Sequence, residues 1–587
     1  MASESEKKLA CLVCRHRKVA CDRRRPKCGL CQKNNFDCQY KGRDHRPGLR
    51  AGYVTQLEKR VEDLERRMDE VVGQLSQEPS RIIPGADHVS PSSLNIQTPQ
   101  LEYNNSAEHV APPQPDGLRL DHNTPYTATI SPQTADQSLN DELQDIWLRK
   151  YHPWFPIMHY TSVATSLSAI LPSQNLLQKA IMAATVWDIP GMSPERRNIE
   201  SEKMCQELIL KAVASSSFPS LQALLILAIL SWGEGKWSQC ANLIAVCKRM
   251  SQQLGLATIA GITRAEPSQL LSGVTRATNP GIDREERIRT FWMIEMLDSI
   301  LSLGSAAPFS ALPVPLATNL PCSDTAWAMQ DPFGEGVPVH NLRYSSGFSM
   351  CISLCTIELG AVHHFQQTVR ESSDMAGGLE WQSAAQRLDE RLTIWREEFV
   401  AAVFRLINTE CPQDARAEME PFIVLSNCIL NMAVITLLQS QTSLPPGIVA
   451  DSEPWPYANH RCMYACENMA AKVRRMEEDE LKNCSPCLIL PIFVAARFYI
   501  VQTKCLHADV SVNLHSLAYS LHICSHRWPL AKIFEAAIRT AVAEHRTPVA
   551  ESALPVEFYD LRYSVIEICH VLQNWAANVS VQYLQSV

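Results

Sequence analysis

Between residues 54 and 76, apolar side chains recur at Val54, Leu57, Val61, Leu64, Met68, Val71 and Leu75, in alternating steps of three and four. That is the a/d seam of a coiled coil over about three heptads. With Val54 at a, Arg60 is a g residue and Glu65 the following e residue. In a parallel dimer the two face each other as an attractive pair, worth about 1 kcal/mol at most when exposed. The flanks disfavour the alternative of a lone amphipathic helix packed on the rest of the chain. A basic linker, 39–53, precedes the seam. After it, 77–138 has no sustained apolar period and a high density of Pro, Gln, Ser, Asn and Thr. Such a stretch cannot bury enough apolar surface to offset its conformational entropy, and it predicts a disordered tether.

From 139 to 587 the pattern is helical, with no run of alternating strand residues. Ser193-Pro194 reads as N-cap and first helical residue. Phe218 to Trp232 and Lys236 to Leu254 predict a helical hairpin turning at Gly233-Glu-Gly235. Asp283 to Glu286 has the form of a capping box. Ile288, Trp292, Met296, Ile300 and Leu303 then mark one helix face, with Gly304 as the stop. The fold class predicted is mostly α. A small N-terminal module (11–38) leads to a parallel coiled-coil dimerisation element (54–76), a tether, and a large all-α body (139–587).

Composition sharpens this picture. Of 587 residues, 46% are apolar and 20% charged, so most of the chain can bury a core. The net charge of −8 hides an asymmetry: residues 1–50 carry +9 and the remainder −17. A basic head on an acidic body predicts that the head meets a polyanion. The most apolar stretch read from the sequence is Leu221 to Trp232, a dozen residues against the roughly 20 needed to cross a bilayer. No membrane partner is expected. Met1 to Lys8 shows no apolar signal-peptide core, which predicts an intracellular chain whose 21 cysteines are thiols or metal ligands.

Six of those cysteines fall together: Cys11, Cys14, Cys21, Cys28, Cys31 and Cys38, spaced C-x2-C-x6-C-x6-C-x2-C-x6-C. The two halves have identical internal spacing. One tetrahedral zinc would leave two thiolates idle, and two separate zincs would need eight ligands. Two Zn2+ ions sharing two bridging thiolates make eight bonds from six sulfurs. The repeat symmetry points to its first members, Cys11 and Cys28, as the bridges. A module of about 30 residues has almost no apolar core, so metal binding supplies its folding energy, about 10–16 kcal/mol per structural zinc. Region 11–38 is therefore expected to be unfolded without metal. Basic residues surround the cysteines: Arg15, Arg17 and Lys18 between Cys14 and Cys21, and Arg23, Arg24, Arg25 and Lys27 in the loop joining the halves. Cations on a rigid frame suit phosphates and guanine edges in the major groove.

The segment Ala10 to Tyr40 resembles the DNA-binding domain of the fungal zinc binuclear cluster (Zn2Cys6) transcription regulators. All six ligand positions match, as do the basic insert before Cys21 and Pro26 in the joining loop. The resemblance implies that Lys18 reads a CGG-type triplet, with Arg17 supporting the contact. It implies double-stranded promoter DNA as partner, a homodimer reading two half-sites, and a nuclear RNA polymerase II regulator. An activator of a metabolic or secondary-metabolite gene cluster is the expected role. Transcription coactivators and a small-molecule effector are further partners the design allows. Tyr151 to His159, Met250 to Leu256 and Arg287 to Asp298 are similar to parts of the family's middle homology region. The chain departs from it at Ser299 and at Gly304-Ser-Ala306, where the family often has Arg and Gly-Arg-Pro.

Catalytic signatures are missing: no G-x-S-x-G, no phosphate loop and no G-x-G-x-x-G occurs. No enzyme is expected. Cys484-x2-Cys487 lacks a second pair and reads as core thiols or a loop. His363-His364 reads as surface or satisfied core, and Glu477 to Glu480 as a solvated helix face. The alternative to a DNA reader is a zinc-dependent protein-interaction regulator that does not bind DNA on its own.

Overall fold

The computed structural model describes, near the N-terminus, residues 13–14, 17, 19–22, 24, 26–34 and 38. In the body it describes 140–167, 176–188, 193–260, 280–305, 320–328, 346–371, 378–410, 419–442, 455–546 and 552–585. The chain divides into two compact units, Met1–His122 and Asn123–Val587. The linker, the heptad residues Val54 to Leu75 and the tether lie outside the described residues.

Among the described residues of the second unit there is no β-strand. In the first unit a short helix, α1, spans Gly29–Lys33. The body opens with α2, which runs over 140–151 and ends in a π-turn, Trp147–Tyr151. Next come α3 (Tyr160–Leu167), α4 (Leu176–Thr185), α5 (Pro194–Val213), α6 (Phe218–Gly233) and α7 (Trp237–Gln253). They are followed by α8 (Pro280–Ser305), α9 (Gly347 to Glu371, broken by a π-turn at Leu354–Glu358), α10 (Gly378–Glu410) and α11 (Pro421–Leu438). The last group is α12 (Trp455–Arg474), α13 (Glu478–Lys482), α14 (Ile489–Leu506), α15 (Val512–Cys524), α16 (Pro529–Arg546) and α17 (Val565–Gln585).

Local sequence explains several of these boundaries. Ser193 caps α5, its hydroxyl accepting the Arg196 amide at 3.3 Å. The predicted hairpin forms: α6 packs along α7 across a turn in which Gly235 adopts φ +73°, a conformation that favours glycine. Its carbonyl accepts a hydrogen bond from Gln573 Nε2 at 2.8 Å, which ties the turn to α17. Helix α6 is buried on all sides except at Pro219, as an apolar run without a polar stripe must be.

Two expectations fail at α8. The helix begins at Pro280, three residues before the capping-box form, because a proline costs no hydrogen bond in a first turn. Asp283 instead pairs with Arg287 one turn on, at 2.8 Å. Gly304 does not end the helix but lies inside it. A Cβ there would stand 3.2 Å from Val565 Cγ1, so a bare backbone lets α17 approach closely.

The apolar-run reading also needs correction. Gly347–Val369, Pro421–Thr442 and Pro486–Leu506 are each long and apolar enough to cross a membrane by length and composition. In the fold they pack as core helices, with 67%, 83% and 100% of their apolar windows buried. A single contiguous core results, running from Leu143 to Leu572.

The three segments resembling the middle homology region converge in this core. The backbone amide of His159 donates to Glu286 Oε1 at 2.7 Å. Lys248, on α7, lies 3.2 Å from Glu295 and 2.7 Å from Asp298, both on α8. Arg289 is fully buried. It donates to Glu285, to Asp324 and to the carbonyl of Cys322, and stacks 3.9 Å from the Trp327 ring. A buried charge of this kind is tolerated where opposite charges and hydrogen bonds offset its desolvation.

Candidate metal centre

The N-terminal unit is built around sulfur. Cys14, Cys28 and Cys31 are fully buried, and with Cys21, Cys38, Val13 and Leu30 they make a core of their own. Cys28 is the N-cap of α1, so its sulfur sits where the first amides of that helix point. The Cys31 amide donates to Cys28 Sγ at 3.4 Å, and the Cys28 amide to Cys38 Sγ at 3.3 Å. Amides aimed at sulfur stabilise the thiolate, the form that binds metal. Cys14 Sγ lies 3.6 Å from Cys28 Sγ.

Two ligand groupings emerge, and both contain Cys28. In one, Cys14, Cys28 and Cys31 bring their sulfurs within 4.8 Å of one another; in the other, Cys21, Asp22 and Cys28 do the same with their ligand atoms. A sulfur shared by two groupings is the arrangement that eight bonds from six thiolates require. The all-sulfur donor set at the centre fits zinc, which binds thiolates tetrahedrally.

Asp22 and Gly29 are site residues that the spacing argument missed. Both carboxylate oxygens of Asp22 accept the Gly29 amide at 3.0 Å, joining the end of the first half-repeat to the first turn of α1. A Cβ at Gly29 would stand 2.7 Å from Asp22 Oδ2, so a larger residue there would push the carboxylate back. The available signal was an acid directly after Cys21 within a basic stretch.

Among the predicted DNA contacts, Arg17, Arg24 and Lys27 are described and all three are exposed. The Arg17 amide donates to Val13 O at 3.0 Å and the Val19 amide to Cys14 O at 3.1 Å. This helical turn fixes the Arg17 backbone directly beyond Cys14. Arg24 lies 3.8 Å from Asp22. Cys11, Arg15, Lys18, Arg23 and Arg25 lie outside the described residues.

The body offers no comparable centre among its described residues. Its described cysteines are free thiols. Burial pushes Cys205, Cys428, Cys487 and Cys569 up to about 12, so they stay protonated and poorly suited to metal. Cys484 pairs not with Cys487 but with Cys524, sulfur to sulfur at 3.7 Å. His363 is a core residue, its Nε2 lying 3.0 Å from the Ser299 carbonyl, and His364 is exposed. Glu477 and Glu480 form the capping box of α13.

These features define a zinc-cluster regulator, and comparison with known proteins agrees. Residues 9–47 match the fungal Zn(2)-Cys(6) binuclear cluster domain, and residues 145–397 match the fungal specific transcription factor domain. The chain is 55% identical over 587 residues, the whole of both chains, to the notoamide biosynthesis cluster transcriptional coactivator notQ' of Aspergillus versicolor. It is 23% identical over 526 residues to the citrinin biosynthesis transcriptional activator ctnR of Monascus purpureus, covering 83% of this chain and 85% of that one. It is 24% identical over 392 residues to the activator mrl3 of Monascus ruber, covering 61% and 73%. No solved structure matches. The chain belongs to the fungal Zn2Cys6 transcription factor family. Its N-terminal domain binds two zinc ions and DNA, and the protein regulates transcription.

Proposed function

We propose that the chain is a nuclear, non-enzymatic activator of one biosynthetic gene cluster in a fungus, reading paired CGG-type half-sites as a homodimer. The six ligands are Cys11, Cys14, Cys21, Cys28, Cys31 and Cys38, with Cys11 and Cys28 as bridges. The position of Cys28 in both ligand groupings is the observation that carries this reading. Lys18 makes the base contact and Arg17 supports it, while Arg15, Arg23, Arg24, Arg25 and Lys27 meet phosphates. Val54, Leu57, Val61, Leu64, Met68, Val71 and Leu75 form the dimer seam. One cluster reads about three base pairs, too few to select a site in a genome, so two clusters on one seam supply the specificity. The biosynthetic role rests on the full-length relative, whose name places it in the notoamide cluster.

The test is selection of genomic DNA fragments by the zinc-loaded full chain at stated salt, because phosphate contacts make affinity salt-dependent. Enrichment of paired CGG-like triplets at one spacing is expected, and the adjacent genes identify the pathway. Lys18→Ala should abolish the enrichment. If selection by the Lys18→Ala chain matched the unaltered one, the assignment of the base contact would fail. If the zinc-replete chain enriched nothing, the protein-interaction alternative would replace the DNA reader.

A further inference from the structure

The body holds a cavity of about 350 Å3 that DNA reading leaves unused. It opens where three parts of the body meet: the turn after α2, the start of α11, and the segment from α12 to α14. Trp154, Met419, Val424, Leu425, Met476 and Leu488 contribute its apolar wall. The wall is held in place before anything enters. Trp154 Nε1 is shared between the carbonyls of Lys150 and Asn483, at 2.7 and 2.8 Å, and its ring meets Trp528 edge-on. Glu420 caps α11 through the amides of Phe422 and Ile423. A preformed site avoids most of the ordering cost of binding.

Each charged group at the mouth already has a partner. Arg149 pairs with Asp145, and Lys150 lies 2.5 Å from Asp188. Glu480 accepts the Glu477 amide at 2.7 Å, and Asp479 lies 3.4 Å from Lys482. An ionic ligand would have to compete with these partners at the rim and would lose hydration on entry. An apolar ligand would gain the full benefit of burial against an indole and two methionines, whose flexible thioethers adapt to irregular shapes.

We propose that this cavity is a binding site for an uncharged, mostly apolar, ring-bearing small molecule of about 20 non-hydrogen atoms, the size such a volume holds at ordinary packing density. The bound molecule would join the turn after α2 to α13, two elements far apart in sequence. The site is independent of the DNA-reading proposal, since every lining residue belongs to the body.

N-phenyl-1-naphthylamine, an uncharged probe that brightens in apolar surroundings, tests the site with the zinc-loaded full chain in the absence of DNA. Saturable binding at one site per chain is expected. Met476→Trp fills the cavity from a half-buried position and should weaken binding at least tenfold. Val512→Trp, at an exposed position outside the cavity, should leave it unchanged. 8-Anilinonaphthalene-1-sulfonate, the same ring frame with an added negative charge, should bind at least tenfold more weakly than the uncharged probe. Melting temperature and far-ultraviolet circular dichroism verify that each variant is folded, and Met419→Phe replaces Met476→Trp if the latter is not. The proposal is overturned if the unaltered chain shows no saturable binding. It is equally overturned if the folded filling variant binds as tightly as the unaltered chain, or if the two probes bind alike.

Discussion

Glu286→Gln converts a buried titration into a measurable dependence of stability on pH. Glu286 sits on α8 and is 6% exposed, with Oε1 accepting the His159 amide at 2.7 Å. Burial, the largest influence, pushes its carboxyl from 4.5 up to about 7, while hydrogen bonds from Ser162 and His159 oppose the rise. The folded chain therefore holds a proton that the unfolded chain releases near pH 4.5. The stability contributed by the neutral carboxyl is fully present below pH 4.5 and is lost as pH rises through 7. Glutamine keeps the shape and the acceptor for the His159 amide but never ionises. At 1.36 kcal/mol per pKa unit, the wild-type penalty reaches about 3 kcal/mol above pH 7 and is near 1.4 kcal/mol at pH 5.5. The variant should thus gain about 2 kcal/mol on the wild type between pH 5.5 and pH 8. In a body of this size that is a melting-temperature difference widening by about 2 °C. Scanning fluorimetry of both proteins at pH 5.5, 6.5, 7.5 and 8 reads it directly. Groups common to both chains, His152 and His159 among them, cancel in the comparison. A gap that is constant across this range, or that narrows as pH rises, would refute the reasoning.

Other substitutions probe the metal module and the core. Cys28→Ser should leave less than one zinc per chain by elemental analysis, whereas Cys31→Ser should leave about one, because only the former removes a sulfur common to both ligand groupings. Asp22→Ala frees the Gly29 amide and should cost about 1 kcal/mol, the usual net worth of a hydrogen bond, because solvent screens the charge at this exposed site. Metal binding drives folding here, so a chelator should strip zinc from this variant about fivefold more readily. Gly233→Ala would set a Cβ 2.1 Å from Trp528 Cε3, against a ring that is 2% exposed. The overpacking should cost about 1–3 kcal/mol and lower the melting temperature, while zinc content stays unchanged.

The sequence by itself determined whatever rests on short spacings. Cysteine ligands must lie within one metal's reach, so C-x2-C-x6-C written twice already carries the cluster. The repeat symmetry already pointed to Cys28 as a shared ligand, and in the structure Cys28 belongs to both groupings. The same holds for the Ser193 cap and the α6–α7 hairpin, where side chain and backbone partner are only a few residues apart. Helical character throughout the body was legible too, because an apolar period of 3.6 is a local property. Elsewhere the tertiary structure decided. The capping-box form at Asp283 to Glu286 misled because Glu286 answers to His159, 127 residues away, and not to its own helix end. Gly304 looked like a stop, but it makes room for Val565. Cys484 and Cys487 are core thiols, as their lack of a second pair suggested, but only the fold sets Cys484 against Cys524, 40 residues on. The apolar cavity has no sequence signature, since Trp154 meets Met419, Met476 and Leu488 from a segment far earlier in the chain. A one-dimensional pattern records which faces must be buried; which face meets which is settled only when the helices compete for the same core.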